Sequence, residues 1–249
     1  MTNEATPQSS GFRKTGTSNT AEPANGTGIA NDGFDQTQNF FDPKEQLRSK
    51  LKAEIAGKSF SELSAVAYDH QASGLIGHTL LDTLDEQGYD LDEFDAVGAL
   101  TAAAVPLACA MVHAAASRGQ DLDAFVMDFV YPSIKGPSIK GKRVILLDSW
   151  LSEKSYVQTS SLVTLRNGNE LSLDFGIVQN EGAQIVAVAS LIGGVDMDKP
   201  TVHVTNPVSG EEFDLPFVEA FHESDLRGND AQPQPQTPND QNAHREEAE

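Results

Sequence analysis

The sequence predicts an α/β fold, a mainly parallel sheet flanked by helices and bordered by two segments with no core of their own. Three observations predict it. Apolar strand-like runs alternate with segments of helical period, which implies βαβ units joined by right-handed crossovers. One run, Arg143-Val-Ile-Leu-Leu-Asp148-Ser149, is continuously apolar and ends in an acid. That is the signature of a buried parallel strand delivering a carboxylate to its carboxyl end, where open α/β sheets bind ligands. Residues 1–41 and 227–249 are rich in Thr, Asn, Gly, Ser, Pro and Gln with hardly an aliphatic side chain. They cannot bury enough surface to offset ordering entropy and are predicted to be disordered tails, leaving 42–226 as one domain.

The elements follow in order. Asp42-Pro43 opens a helix running to about Lys58, with Leu47, Leu51 and Ile55 recurring every four residues. Ser73–Gln87 forms a second helix with Leu75, Ile76, Leu80, Leu81 and Leu84 on one face, stopped by Gly88. Phe94–Ala99 is a short strand, Thr101–Ser117 an Ala-rich helix, Leu122–Val130 a strand and Arg143–Asp148 another. Val157, Ser161, Val163 and Leu165, followed by Arg-Asn-Gly-Asn, read as a hairpin over 156–170. Leu171–Asn180 is predicted as a helix capped by Gly182, Gln184–Ile192 as a strand and Val202–Val204 as a further one.

Bulk composition excludes several classes. The 249 residues are 39% hydrophobic, enough for one sizeable core plus tails or at most two small domains, and the net charge is −20. Acids outnumber bases about two to one even within residues 41–222. A broad nucleic-acid face and docking to an anionic membrane are both disfavoured. A single cysteine, Cys109, rules out an internal disulfide or a Cys-rich metal site and fits a reducing compartment. The start of the chain lacks a basic and apolar leader pattern, and the longest apolar run, Ala102–Ala116, is too short for a membrane span. A cytoplasmic location is the resulting expectation.

From about Tyr68 to Gly194 the chain resembles an actinobacterial-type orotate phosphoribosyltransferase. Phe94-Asp-Ala-Val-Gly-Ala-Leu-Thr-Ala-Ala-Ala-Val-Pro-Leu-Ala108 is similar to that family's first core strand, ribose-pyrophosphate loop and following helix. Leu122-Asp-Ala-Phe-Val126 resembles the next strand, Ile139–Asp148 the strand leading into the signature loop, and Gly182–Ala189 the strand after it. Phe213–Phe217 and Ser224–Leu226 resemble its C-terminal segment. The resemblance implies a type I phosphoribosyltransferase fold, a Rossmann-like parallel sheet with a small hood. It also implies 5-phosphoribosyl diphosphate (PRPP) with Mg²⁺ as ligand, a nucleotide as product and a homodimer.

The same resemblance assigns candidate site residues. Asp148 and Ser149 stand where the family has two acids that hold the ribose hydroxyls, and Asp148 is the one metal-side carboxylate. Thr101, Ala102, Ala103 and Ala104 stand at the diphosphate loop. The phosphate turn has two registers. Read without a gap it includes Ser152, Glu153 and Lys154, which brings an acid into an anion site, with Lys154 facing phosphate or pairing with Glu153. In the second register Arg166, Asn167, Gly168 and Asn169 precede a helix and face the phosphate, with a plain hairpin turn as the competing reading. The family's mobile cationic loop is replaced by Met127-Asp-Phe-Val-Tyr-Pro-Ser-Ile-Lys-Gly136, where Asp128 occupies basic territory. Lys135, Lys140, Lys142 and Arg143 form either a weak anion patch or a solvated turn.

Three elements that would stabilise a charge-separated transition state are thus altered together. The expectation is a family member with lost or strongly reduced transferase activity and a regulatory or interaction role, Asp148 being the remnant of the site. The alternative is an active orotate phosphoribosyltransferase with an altered phosphate loop. Outside this site, Cys109 reads as inert helix packing and His113 as a core-edge or helix-end residue. The acids between Asp82 and Asp95 read as a solvated helix end, lacking the order of a calcium loop. Trp150, where a small polar residue is expected, fills the vacated ribose pocket or marks a partner surface.

Overall fold

A computed structural model describes residues 42–152, 164–166, 170–195 and 200–228. Of the segments 1–41 and 227–249 predicted as disordered, all but residues 227 and 228 lie outside them. Three helices come first: α1 (Pro43–Ile55), α2 (Ser64–Ala67) and α3 (Ala72–Glu86). Asp42 caps α1 by accepting the N–H groups of Lys44 and Glu45, and Pro43 stands at its first turn. Gly88, at φ +85°, takes the left-handed conformation just past α3. Then β1 (Ala96–Ala99) leads through a 3₁₀ turn, Ala102–Ala104, into α4 (Val105–Ser117). The predicted single helix from Thr101 is therefore two pieces, and Pro106 falls in the first turn of α4, where a missing N–H costs nothing.

The remaining elements are β2 (Asp123–Asp128), β3 (Ser133–Lys135), β4 (Arg143–Leu151), β5 (Thr164–Arg166), β6 (Glu170–Ser172), α5 (Gly176–Asn180), β7 (Gln184–Gly193), β8 (Thr201–Thr205), β9 (Glu212–His222) and α6 (Glu223–Arg227). The strands lie in the order β3-β2-β1-β4-β7-β9-β8-β6-β5. The central block β2-β1-β4-β7-β9 is parallel throughout, while β3 and β8 join it antiparallel.

Two predictions are corrected here. Leu171–Asn180 is not one helix: residues 170–172 form β6 and only Gly176–Asn180 is helical. Leu171, Leu173 and Phe175 are buried and alternate with half-exposed Ser172 and Asp174, a period of two, not of 3.6. And Arg227 does not begin a tail; it ends α6.

The sheet separates two apolar layers. Val97, Ala99, Ile145, Leu147, Ala187, Ala189 and Leu191 face α1, α3 and α4. Val144, Leu146, Val188 and Phe217 face the layer of α5, β6 and β8. The helices on the first face approach closely: a Cβ on Gly77 of α3 would overlap the Ala110 carbonyl of α4. Gly98 leaves room on β1 for the Phe125 ring.

Candidate functional site

The chain runs from β1 outward to β2 on one side and returns to β4 on the other, so the sheet order reverses between β1 and β4. A crevice outside the carboxyl ends of two such strands is the usual ligand position in an open α/β sheet. Two residues meet there. Leu100 N–H donates to Leu147 O at 2.9 Å, carrying the pairing one step past β1. Thr101 is then extended (φ −133°, ψ 163°), and its hydroxyl donates to Asp148 Oδ1 at 2.8 Å. Ser149 N–H donates to the same oxygen at 2.7 Å.

Asp148 is 4% exposed. Burial pushes its carboxyl from the ordinary 3.8 up to about 6, against the hydrogen bonds from Thr101 and Ser149, which favour the charged form. Ala102 and Ala103 follow Thr101 at the head of α4. The first N–H groups of a helix have no intrahelical acceptor.

The orotate phosphoribosyltransferase of Streptomyces coelicolor is 34% identical over 155 residues, spanning 60% of this chain and 72% of that protein. That of Streptomyces avermitilis is 35% identical over the same length and shares. The chain belongs to the orotate phosphoribosyltransferase family. No family model matches it. The orotate phosphoribosyltransferase of Mycobacterium tuberculosis H37Rv, solved in complex with PRPP, shares the fold at a TM-score of 0.51 and 22% identity, over 74% of this chain and 91% of that one.

In this phosphoribosyltransferase-family chain, β4 does not stop at Asp148, as the sequence predicted. It continues three residues, pairing Trp150 with Ile192 and Leu151 with Gly193 of β7. Ser149 and Ser152 are both buried. The segment 153–163, with Lys154, lies outside the described residues, as do Asn167, Gly168 and Asn169. Arg166 belongs to β5, the outermost strand, and pairs in register with Glu170 of β6. The next described element after Arg166 is the strand β6, and the two registers of the phosphate turn both rest on residues outside the described ones. Five strand positions separate β5 from β4.

Three of the four cationic candidates, Lys135, Lys142 and Arg143, are taken up locally. Lys142 pairs with Asp123, Lys135 with Asp128 at 3.6 Å, and Arg143 with Glu93 and Asp95. Asp128 accepts the N–H groups of Val130 and Tyr131, closing the β2–β3 hairpin where the family's mobile loop was expected. The solvated-turn reading fits this better than an anion patch. Cys109, expected as packing, is exposed. Trp150 is 1% exposed within this chain's own core, so the partner-surface reading is withdrawn.

Sequence reasoning missed the neighbours of Asp148 on the sheet. Ser190 of β7 stands in register with Asp148, and Glu219 of β9 in register with Ser190. Ser190 lies between Ala189 and Leu191, and Glu219 between Val218 and Ala220, all four on the helix face, so both polar residues point to the opposite one. Ser190 Oγ and Glu219 Oε2 are buried without a hydrogen-bond partner among the described residues. Glu219 Oε1 is 2.6 Å from His222 Nδ1, and burial raises the Glu219 carboxyl above the usual range. Gly193 makes the space, since a Cβ there would overlap Glu219 Oε2. The signal was present as one hydroxyl in the apolar run of β7 and one acid in Phe-Val-Glu-Ala-Phe.

Among the described residues no group of three or more His, Cys, Asp or Glu is placed to hold a metal. Mg²⁺ keeps several waters and takes phosphate oxygens with one or two carboxylates. Among the described residues Asp148 is the carboxylate that could face an ion carried in on the diphosphate. No helix among the described residues is long and apolar enough to cross a membrane.

Proposed function

We propose that this chain is an orotate phosphoribosyltransferase of pyrimidine nucleotide biosynthesis, working in the cytoplasm, which joins the phosphoribosyl group of PRPP to orotate and releases diphosphate. The observation that carries the reading is the position of Asp148 beside Thr101 at the point where the sheet order reverses. Relatives bearing the orotate phosphoribosyltransferase name match over 72% of their length. Asp148 would hold the ribose hydroxyls in place of the Thr101 hydroxyl, and the turn from Thr101 to Ala103 would lie against the diphosphate. Orotidylate formation from orotate, PRPP and Mg²⁺, abolished by Asp148→Ala, is the expected result. Absence of turnover would defeat the reading.

A second reading, a catalytically silent relative with a regulatory or interaction role, is favoured by one observation. β4 continues past Asp148 to Leu151, right up to the segment expected to turn around phosphate, and Ser149 and Ser152 are buried. On this reading turnover is absent and PRPP binds weakly or not at all. Calorimetry with PRPP and Mg²⁺ separates the two.

A further inference from the structure

Arg227, in the last turn of α6, ties three distant segments together. Its Nε donates to Glu223 Oε1 at 2.7 Å, Nη1 to Lys58 O at 2.7 Å and Nη2 to Ser59 O at 3.0 Å. Its guanidinium lies 5.2 Å from the centre of the Trp150 ring. Phe60 tilts against that ring at 5.5 Å, and Trp150 Nε1 donates to Glu223 Oε2 at 3.4 Å. The pair is sheltered, with 14% of the Arg227 side chain and 8% of the Glu223 side chain exposed.

What this cluster holds is a change of face. Along β4, Ile145 and Leu147 face the helices, and Val144 and Leu146 face the other layer. Strict alternation would place Trp150 on the face of Val144 and Leu146. Instead it packs with the helices, and Leu151 packs with the opposite layer. The reversal falls between Leu147 and Trp150, on Asp148 and Ser149. A strand end can occupy either phase of its alternation, and a change of phase moves every side chain to the other face. Trp150 sits on the helix face beyond the reversal, and Arg227 forms one wall of its seat.

We propose that Arg227 is a positioning residue for the Asp148 crevice: by seating Trp150 on the helix face, it fixes the reversal in β4 that aims Asp148 and Ser149 at the ligand. This rests on the crevice being a PRPP site. Trp150 is the chain's one tryptophan, so its emission reports the seat directly.

The test measures Trp150 emission and calorimetric affinity for PRPP with Mg²⁺ in the full chain and three variants, at a temperature where each is folded by circular dichroism. Arg227→Ala should shift emission to the red and weaken binding about tenfold or more, since small misplacements of a site are costly. Arg227→Lys keeps the charge opposite Glu223 but loses the planar fork and the stack. It should fall between the two, at about threefold, and it carries the test if Arg227→Ala does not fold. Val202→Ala, a core truncation on β8, should lower the melting temperature and leave affinity unchanged.

Wild-type affinity in the Arg227 variants overturns the proposal, and so does an equal loss in Val202→Ala, which would mark a general effect of stability. A wild-type chain that does not bind PRPP overturns the site reading itself and the positioning role with it.

Discussion

The Thr101 hydroxyl donates to Asp148 Oδ1 across the carboxyl ends of β1 and β4, at 2.8 Å. Forty-seven residues apart in sequence, the two come together only because β1 and β4 are neighbours. This bond supplies the one side chain from another strand that is seen to satisfy a nearly buried carboxyl.

Thr101→Val keeps the shape and removes the donor. Losing one partner of a buried polar group costs about 1–3 kcal/mol. Denaturant unfolding should show that loss, and the Asp148 carboxyl should titrate higher than in the wild type, because the Thr101 bond favours its charged form. Unchanged stability and titration would show the bond to be idle.

The raised carboxyl of Asp148 makes stability depend on pH in a stated direction. A carboxyl that titrates at about 6 folded and 3.8 unfolded binds its proton more tightly in the native state. That contribution is complete below about pH 4 and is lost as pH rises through about 6. The difference of about two pH units corresponds to roughly 3 kcal/mol. Asp148→Asn has no such loss, so its melting temperature relative to wild type should be higher at about pH 7.5 than at about pH 4.5. A gap independent of pH would contradict the burial argument.

Gly77 and Gly74, one turn apart on α3, should respond oppositely to alanine. A Cβ on Gly77 would overlap the Ala110 carbonyl and come within 3.1 Å of Ala114 Cβ, while one on Gly74 meets nothing within 4 Å. Gly77→Ala should destabilise by about 1–3 kcal/mol despite its better helix propensity. Gly74→Ala should stabilise by about 0.5–1 kcal/mol. Thermal unfolding of the pair checks both signs at once.

The cations before β4 are tied to nearby acids and should matter little for PRPP. Lys135→Ala and Lys142→Ala are expected to change calorimetric affinity by less than about twofold and stability by less than about 1 kcal/mol, as is usual for exposed ion pairs. A tenfold loss in either would restore the anion patch.

The parts of the fold that were legible are those whose pattern is local. The period of four in Leu47, Leu51 and Ile55 is visible without a partner, and so is the apolar run of β4 up to Asp148. No strand was expected at β9, whose pattern is broken by Pro216, a residue that argues against a central strand. The structure puts Pro216 where β9 changes neighbour: residues up to Pro216 pair with β8 and those from Phe217 with β7. The missing N–H falls at the handover. The helix predicted over 171–180 failed for a different reason, since Leu171, Leu173 and Phe175 carried a strand period in a stretch short enough to be read either way.

Fold class, family and a carboxylate closing the apolar run of a core strand were all legible in the chain, because each is written in runs of adjacent residues. Only the tertiary structure decided that β4 runs on to Leu151. Its extension depends on pairing with β7, about forty residues later, and the side chain at Trp150 is held by Arg227, which also bonds Lys58 O at a separation of 169 residues. Ladder hydrogen bonds and a shared buried ring are properties of two or three segments together. No window of the chain contains them, so the end of the strand, and with it the setting of Asp148, is fixed by packing and not by local preference.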